Sequence, residues 1–211
     1  MSASKNWTLK GLYIVTPDWD DTERLLAVTA QALDGGAAIV QYRHKTADAA
    51  LRRTQATALL QLCRARSVPF IINDHLDLCV ALDADGIHVG GTDASIAQAR
   101  AAVGPGKIVG ASCYATLQLA HDAYRAGASY VAFGGFYPSR VKKYDFKTTS
   151  DIIVQSHAEI PLPVVVIGGM TQENSVPLVA AGADMVAAIS SVYMADDPRA
   201  AAAGLVGLFA G

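Results

Sequence analysis

In the run Gln41-Tyr42-Arg43-His44-Lys45, alternate residues are an amide and two cations. On an extended strand, residues two apart share a face, so Gln41, Arg43 and Lys45 point one way. Such a face can grip an anion and stabilise charge growing on a leaving group; solvating a loop is the plainer use of the two cations. Asp74, in Ile72-Asn73-Asp74-His75, and Asp93, in Gly90-Gly91-Thr92-Asp93, could share a hard cation. Magnesium is held by one or two carboxylates and fills its other positions with water and substrate phosphate. Each aspartate alone would serve as a helix N-cap. Together, beside Arg43 and Lys45, they are better explained by a metal-bridged phosphate.

A second anion site is written near the C-terminus. Gly168-Gly169 and then Ile189-Ser190 expose backbone N–H groups after two consecutive apolar runs. With positive potential from a following helix N-terminus, this pattern suits a monophosphate. Between the two sites runs the longest loop of the chain, with Ser139, Arg140, Lys142, Lys143 and Lys147. Long loops of this type often act as lids, and their cations can arrive with substrate and exclude water. A transfer reaction with pyrophosphate as leaving group would use both sites, with Arg43, Lys45, Lys142 and a metal meeting the developing charge.

The histidines offer less. His88 lies within an apolar strand, where a hydrogen-bonded core role is the commoner one, and His75 opens a helix without an assigned task. His121 and His157 sit on helix surfaces, and the five histidines show no metal-ligand spacing.

Eight short, β-branched runs must position these groups: 11–17, 38–43, 70–74, 86–90, 107–113, 130–136, 163–169 and 185–191. Most are continuously apolar, as strands covered on both faces require. Helical spacing fills the intervals. The first helix starts at Asp20 as a plausible N-cap and stops at Gly35-Gly36; the last starts at Asp197-Pro198. Asp34-Gly35-Gly36-Ala37, Ala84-Asp85-Gly86, Arg125-Ala126-Gly127-Ala128 and Ala181-Gly182-Ala183-Asp184 read as one repeated helix-to-strand turn. No Gly-x-Gly-x-x-Gly follows the first strand, which argues against a doubly wound open sheet. The expectation is an α/β chain forming a single (β/α)8 TIM barrel over residues 1–211, its active site at the C-terminal strand ends.

Composition agrees. Of 211 residues, 52% are hydrophobic and 17% charged, enough for a large core, and the formal net charge of −2 argues against a nucleic-acid binder. Three cysteines with no Cys-x-x-Cys pair fit a reducing, cytoplasmic setting. Neither a secretory leader nor a membrane-spanning run is read. The partners expected are small-molecule substrates, with no nucleic acid and no membrane; a homo-oligomer remains open.

Across nearly its whole length the chain resembles the thiamine-phosphate synthase family. The likeness rests on Val40 to Lys45, Ile71-Ile72-Asn73-Asp74, Asp85 to Gly90, Pro138 to Lys143, Ile167-Gly168-Gly169, and Ala181 to Asp184 with Ile189-Ser190. It implies coupling of hydroxymethylpyrimidine pyrophosphate with thiazole phosphate, giving thiamine phosphate and pyrophosphate through a pyrimidine methylene cation. By resemblance, Asp74 and Asp93 would bind Mg2+, and Gln41 would contact the pyrimidine. Arg43, Lys45, Asn73, Ser112 and Lys142 would hold the pyrophosphate. Ser139, Gly168, Gly169, Ile189 and Ser190 would hold the thiazole phosphate. Three positions depart from the family pattern: His44 for a usual Glu, Gly91 for a frequent Gln, and Val141 for a common Thr. A related thiazole tautomerase barrel tends to lack the metal carboxylates and to carry a histidine where Tyr114 stands. A non-catalytic sensor of phosphate ligands on the same barrel would need no charged lid.

Overall fold

In the computed structural model, residues 7–90, 95–138 and 147–210 are described. Eight parallel strands close into a barrel in chain order: β1 (Gly11–Val15), β2 (Ile39–Tyr42), β3 (Phe70–Asn73), β4 (Gly86–Val89), β5 (Ile108–Tyr114), β6 (Tyr130–Gly134), β7 (Val164–Ile167) and β8 (Met185–Ala188). Closure is made by β1 against β8, from Gly11 opposite Met185 to Ile14 opposite Ala188. The outer layer comprises α1 (Thr22–Asp34), α2 (Ala49–Ala65), α3 (Leu76–Ala81), α4 (Ile96–Val103), α5 (Leu117–Arg125), α6 (Asp151–Glu159), α7 (Gln172–Ala180), α8 (Ser190–Tyr193) and α9 (Pro198–Val206). The expected (β/α)8 barrel is therefore the fold.

Strand alternation divides the core in two. Leu12, Ile14, Val40, Tyr42, Ile72, Val131, Val164 and Val166 join the large cluster under the helices. Their neighbours Tyr13, Val15, Ile39, Ile71, Tyr130, Val165, Met185 and Ala187 form a separate cluster, which fills the barrel interior. Burial on both faces is why the strands read as continuous apolar runs. The lumen is tight where β5 meets β6. A Cβ on Gly110 would overlap the ring of Tyr130, so the glycine makes room for an aromatic side chain inside the barrel.

The helix-to-strand turns share one construction. After α1, Gly36 N–H bonds to Leu33 and Ala37 N–H to Ala32, with Gly36 at φ 95°. The same pair of bonds recurs around Gly127 (φ 91°) and Gly182 (φ 106°). In each case a left-handed residue satisfies the orphan carbonyls at the helix end. The turn before β4 corrects the sequence reading: its left-handed residue is Asp83 (φ 50°), and Gly86 lies inside β4. Ser67 (φ 55°) makes a fifth turn of this kind, unread in the sequence for want of a glycine.

Other boundaries also shift. The N-cap of α1 is Asp21, whose side chain accepts from Arg24 N–H at 2.9 Å; Asp20 instead meets His44. The eighth strand ends at Ala188, and the short α8 that follows was not foreseen because four residues carry no periodicity. Asp197 caps α9 with Pro198 behind it, as expected. Among the described residues no helix is long and apolar enough to cross a membrane.

Cys63, Cys79 and Cys113 are buried in the outer core, and desolvation lifts each thiol to about 12. A thiolate-selective reagent at pH 8 should therefore find no reactive cysteine in the folded chain and three after unfolding in urea. Gly110→Ala should lower unfolding free energy by about 1–3 kcal/mol or more, measured by urea denaturation, because the Tyr130 ring has no room to retreat.

Candidate active site

The strand ends bring three of the foreseen residues into direct contact. Asp74 sits immediately after β3 with its side chain only 11% exposed, and its carboxylate accepts from Lys45 Nζ and, at 2.6 Å, from Asn73 Nδ2. Lys45 reaches it from the segment after β2 and is itself half exposed. An ammonium and an amide thus fix the position of this carboxylate at the strand end.

Asp74 does not cap a helix. The N-cap of α3 is His75, with no side-chain cap bond, so the plainer reading of Asp74 is overturned. Its backbone explains the difference. Asp74 has φ 63°, while His75 N–H bonds back to Asn73 O at 2.8 Å, closing a left-handed γ-turn around the aspartate. Asp74 N–H donates to His88 O at 2.9 Å, tying the turn to β4. A non-glycine residue in that region carries strain of about 1–3 kcal/mol, and such strain concentrates at functional sites. Burial and the nearby Arg52 guanidinium lower the pKa of the adjacent His75.

Arg43 is oriented by a residue the sequence reading missed. Asp18, after β1, accepts from Arg43 Nη1 at 3.2 Å and from Lys45 N–H at 2.8 Å. Thr16 adds two bonds across the same strand ends, donating its hydroxyl to Arg43 O at 2.9 Å and accepting from Arg43 N–H at 2.8 Å. The signal in the sequence is Pro17-Asp18, a carboxylate just beyond the first apolar run, which has no cationic neighbour in sequence to mark it. His44 points the other way. Its fully buried ring meets Asp20 at 3.0 Å and accepts from Ala47 N–H at 3.1 Å, so the departure at this position lies behind the mouth.

Gln41 and Ser112 face the lumen from opposite sides and are not in contact with each other. Gln41 Nε2 donates to the Tyr13 hydroxyl at 2.7 Å, and Ser112 Oγ lies 2.9 Å from His88 Nε2. His88 is thus a hydrogen-bonded interior residue, as the sequence suggested. His121 and His157 lie on the outside, against Glu159 and against Gly182 O respectively.

On the far side, Gly168 (φ 113°) and Gly169 (φ 65°) follow β7 in conformations that favour glycine. A Cβ on Gly169 would overlap Pro138 O, so the two strand ends touch through bare backbone. Asn174 Nδ2 fixes Gly169 O at 2.8 Å, and Tyr137 N–H donates to Gly168 O at 3.3 Å. Ile189 and Ser190 stand at the end of β8, where Ile189 is the residue before α8. Asp93, Ser139 and Lys142 lie outside the described residues, as do Gly91 and Val141. The base of the strand-six loop is described: Thr148 N–H donates to Gly135 O at 3.0 Å and its hydroxyl to Gly134 O. Among the described residues, no three His, Cys, Asp or Glu side chains cluster as metal ligands.

The fold and these strand ends define a (β/α)8 barrel with two separate sets of polar groups at the C-terminal ends of its strands. Residues 12–192 match the sequence profile of the family described as thiamine monophosphate synthase. A thiamine-phosphate synthase from Janthinobacterium sp. is 65% identical over 202 residues, covering 96% of this chain and 98% of that protein. Another, from Thiobacillus denitrificans, is 50% identical over 200 residues, covering 95% of each. The solved structure of thiamine phosphate pyrophosphorylase from Pyrococcus furiosus superposes with a TM-score of 0.84 at 30% identity, covering 95% of both chains. The chain belongs to the thiamine-phosphate synthase family. These relatives lend no support to the tautomerase or sensor readings.

The left-handed turn at Asp74 can be tested by stability alone. Asp74→Gly should be more stable than Asp74→Ala by about 1 kcal/mol in urea denaturation, since only alanine keeps the backbone strain.

Proposed function

We propose that this barrel couples hydroxymethylpyrimidine pyrophosphate to thiazole phosphate, releasing thiamine phosphate and pyrophosphate. Family membership supports the activity, and the Lys45–Asp74–Asn73 contact carries its placement at the rim. The bond from the pyrimidine methylene carbon to the pyrophosphate oxygen breaks, with both electrons leaving on oxygen. The thiazole nitrogen lone pair then forms the new carbon–nitrogen bond, so the whole exchange is a substitution without redox change.

The residues divide that work. Arg43, Lys45, Asn73 and Ser112, with Lys142 from the strand-six loop, receive the leaving pyrophosphate; Arg43 is aimed by Asp18 and Lys45 is at hand on Asp74. Gln41 orients the pyrimidine. Gly168, Gly169, Ile189 and Ser190, with Ser139, hold the thiazole phosphate through backbone N–H groups and hydroxyls. Charge stabilisation by fixed donors is commonly the largest part of such catalysis, since the donors need no reorganisation as the anion forms.

Asp74 suits a hard cation: its carboxylate already holds an ammonium as a positive partner, and oxygen is the donor that magnesium prefers. Asp74 and Asp93 would hold Mg2+, which when bound lends positive charge to the pyrophosphate oxygens. The chain acts as one barrel domain over residues 1–211 on small molecules, in the cytoplasm, with no nucleic-acid or membrane partner.

Purified protein incubated with both substrates and magnesium should release thiamine phosphate and pyrophosphate in equal amounts. Absence of product at every magnesium concentration would overturn the assignment. Asp74→Asn keeps a side chain that tolerates the left-handed turn. It should fold normally yet lose about 100-fold in kcat, close to 2.7 kcal/mol of barrier. Turnover within a few-fold of the parent would remove Asp74 from the machinery.

A further inference from the structure

Five polar side chains cross the barrel interior in an unbroken chain. Gln41 Nε2 lies 2.7 Å from the Tyr13 hydroxyl, which lies 2.6 Å from that of Tyr130. The Tyr130 hydroxyl lies 2.8 Å from His88 Nδ1, and His88 Nε2 lies 2.9 Å from Ser112 Oγ. The rings are fixed by packing as well as by these bonds: Tyr13 meets Tyr130 edge-on at 5.8 Å, and His88 stacks on Tyr130 at 5.7 Å. Both phenols are fully buried, and desolvation raises their pKa values far above the ordinary range, so each keeps its proton.

A hydroxyl has one proton to give, so such a chain has a direction. With the Gln41 amide donating to Tyr13, the Tyr13 proton goes to Tyr130 and the Tyr130 proton to His88 Nδ1. His88 then carries its proton on Nε2 and gives it to Ser112 Oγ. The Ser112 proton is left over, pointing away from the chain. Reversal requires every member to turn together: the amide flips, His88 changes tautomer, and Ser112 gives its proton to the imidazole.

We propose that Tyr13, Tyr130 and His88 are positioning residues that lock the Gln41 amide and the Ser112 hydroxyl into one shared proton order. In that order Ser112 donates towards the leaving pyrophosphate and Gln41 Oε1 stays open to an N–H on the pyrimidine. This rests on the substrate roles proposed above for Gln41 and Ser112. The two ends serve different parts of one substrate, so the interior sets both polarities before it arrives.

Nitrogen-15 NMR of the histidine-labelled full chain, with His88 assigned from a His88→Gln variant, should show the Nε2–H tautomer in the parent. An Nδ1–H tautomer or a doubly protonated ring would overturn the proposal; this measurement needs no substrate, so it is separate from any failure of the synthase assay. Tyr130→Phe opens the chain at its centre and keeps the ring. It should lower kcat about 10-fold, leave KM for thiazole phosphate within 2-fold, and yield mixed His88 tautomers. Ser112→Ala should then cost at least 5-fold less in the Tyr130→Phe background than in the parent; an equal cost in both would show that the residues act independently. Tyr13→Phe, which opens the chain one link nearer Gln41, provides the same comparison if the first variant fails to fold.

Discussion

The hydrogen bond between the hydroxyls of Tyr13 and Tyr130 spans the middle of the barrel, and much of the molecule is arranged around it. A polar atom buried without a partner is costly, so two tyrosines can share this interior only by pairing with each other and with neighbours. That requirement draws Gln41 and His88 inward, and it leaves β5 a glycine at position 110 where the Tyr130 ring must pass. The apolar floor below, with Ile39, Ile71, Val165 and Met185, gives the pair a dry setting in which each bond counts for more.

Above this layer the site is built from short reaches off strand ends. Arg43 and Lys45 follow β2, Asn73 is the last residue of β3 and Asp74 comes directly after it, so two paired strands bring the four to one place. Asp18 completes this side from the segment after β1. The opposite side uses almost no side chains. Gly168 and Gly169 follow β7 in backbone conformations that favour glycine, and Gly169 packs directly against Pro138 O.

Much of this was legible in the sequence. Continuous apolar runs announced the strands, and alternation placed Gln41 in the interior. The boundaries that moved did so for local reasons. Either Asp20 or Asp21 can cap a helix, and only the contact with His44 decides between them. Ser67 and Asp83 adopt left-handed backbone with no glycine to mark it in the sequence. The interior chain was harder to see, because Tyr13, Tyr130 and His88 each read singly as core residues. Their meeting depends on closure across residues 117 positions apart, which no local pattern encodes.

The seam between β1 and β8 has a further meaning for the life of the chain. Every other strand pairs with its immediate successor, so most of the sheet can grow as the polypeptide emerges. The ring is sealed only when residues 185–188 meet residues 11–14, almost a full chain length apart. The polar strand ends of β2 and β3 are therefore made early, whereas β8 and the short α8 behind it come last. A nascent chain would hold one half of its polar rim for most of its synthesis, and acquire the other half in the same step that completes its fold.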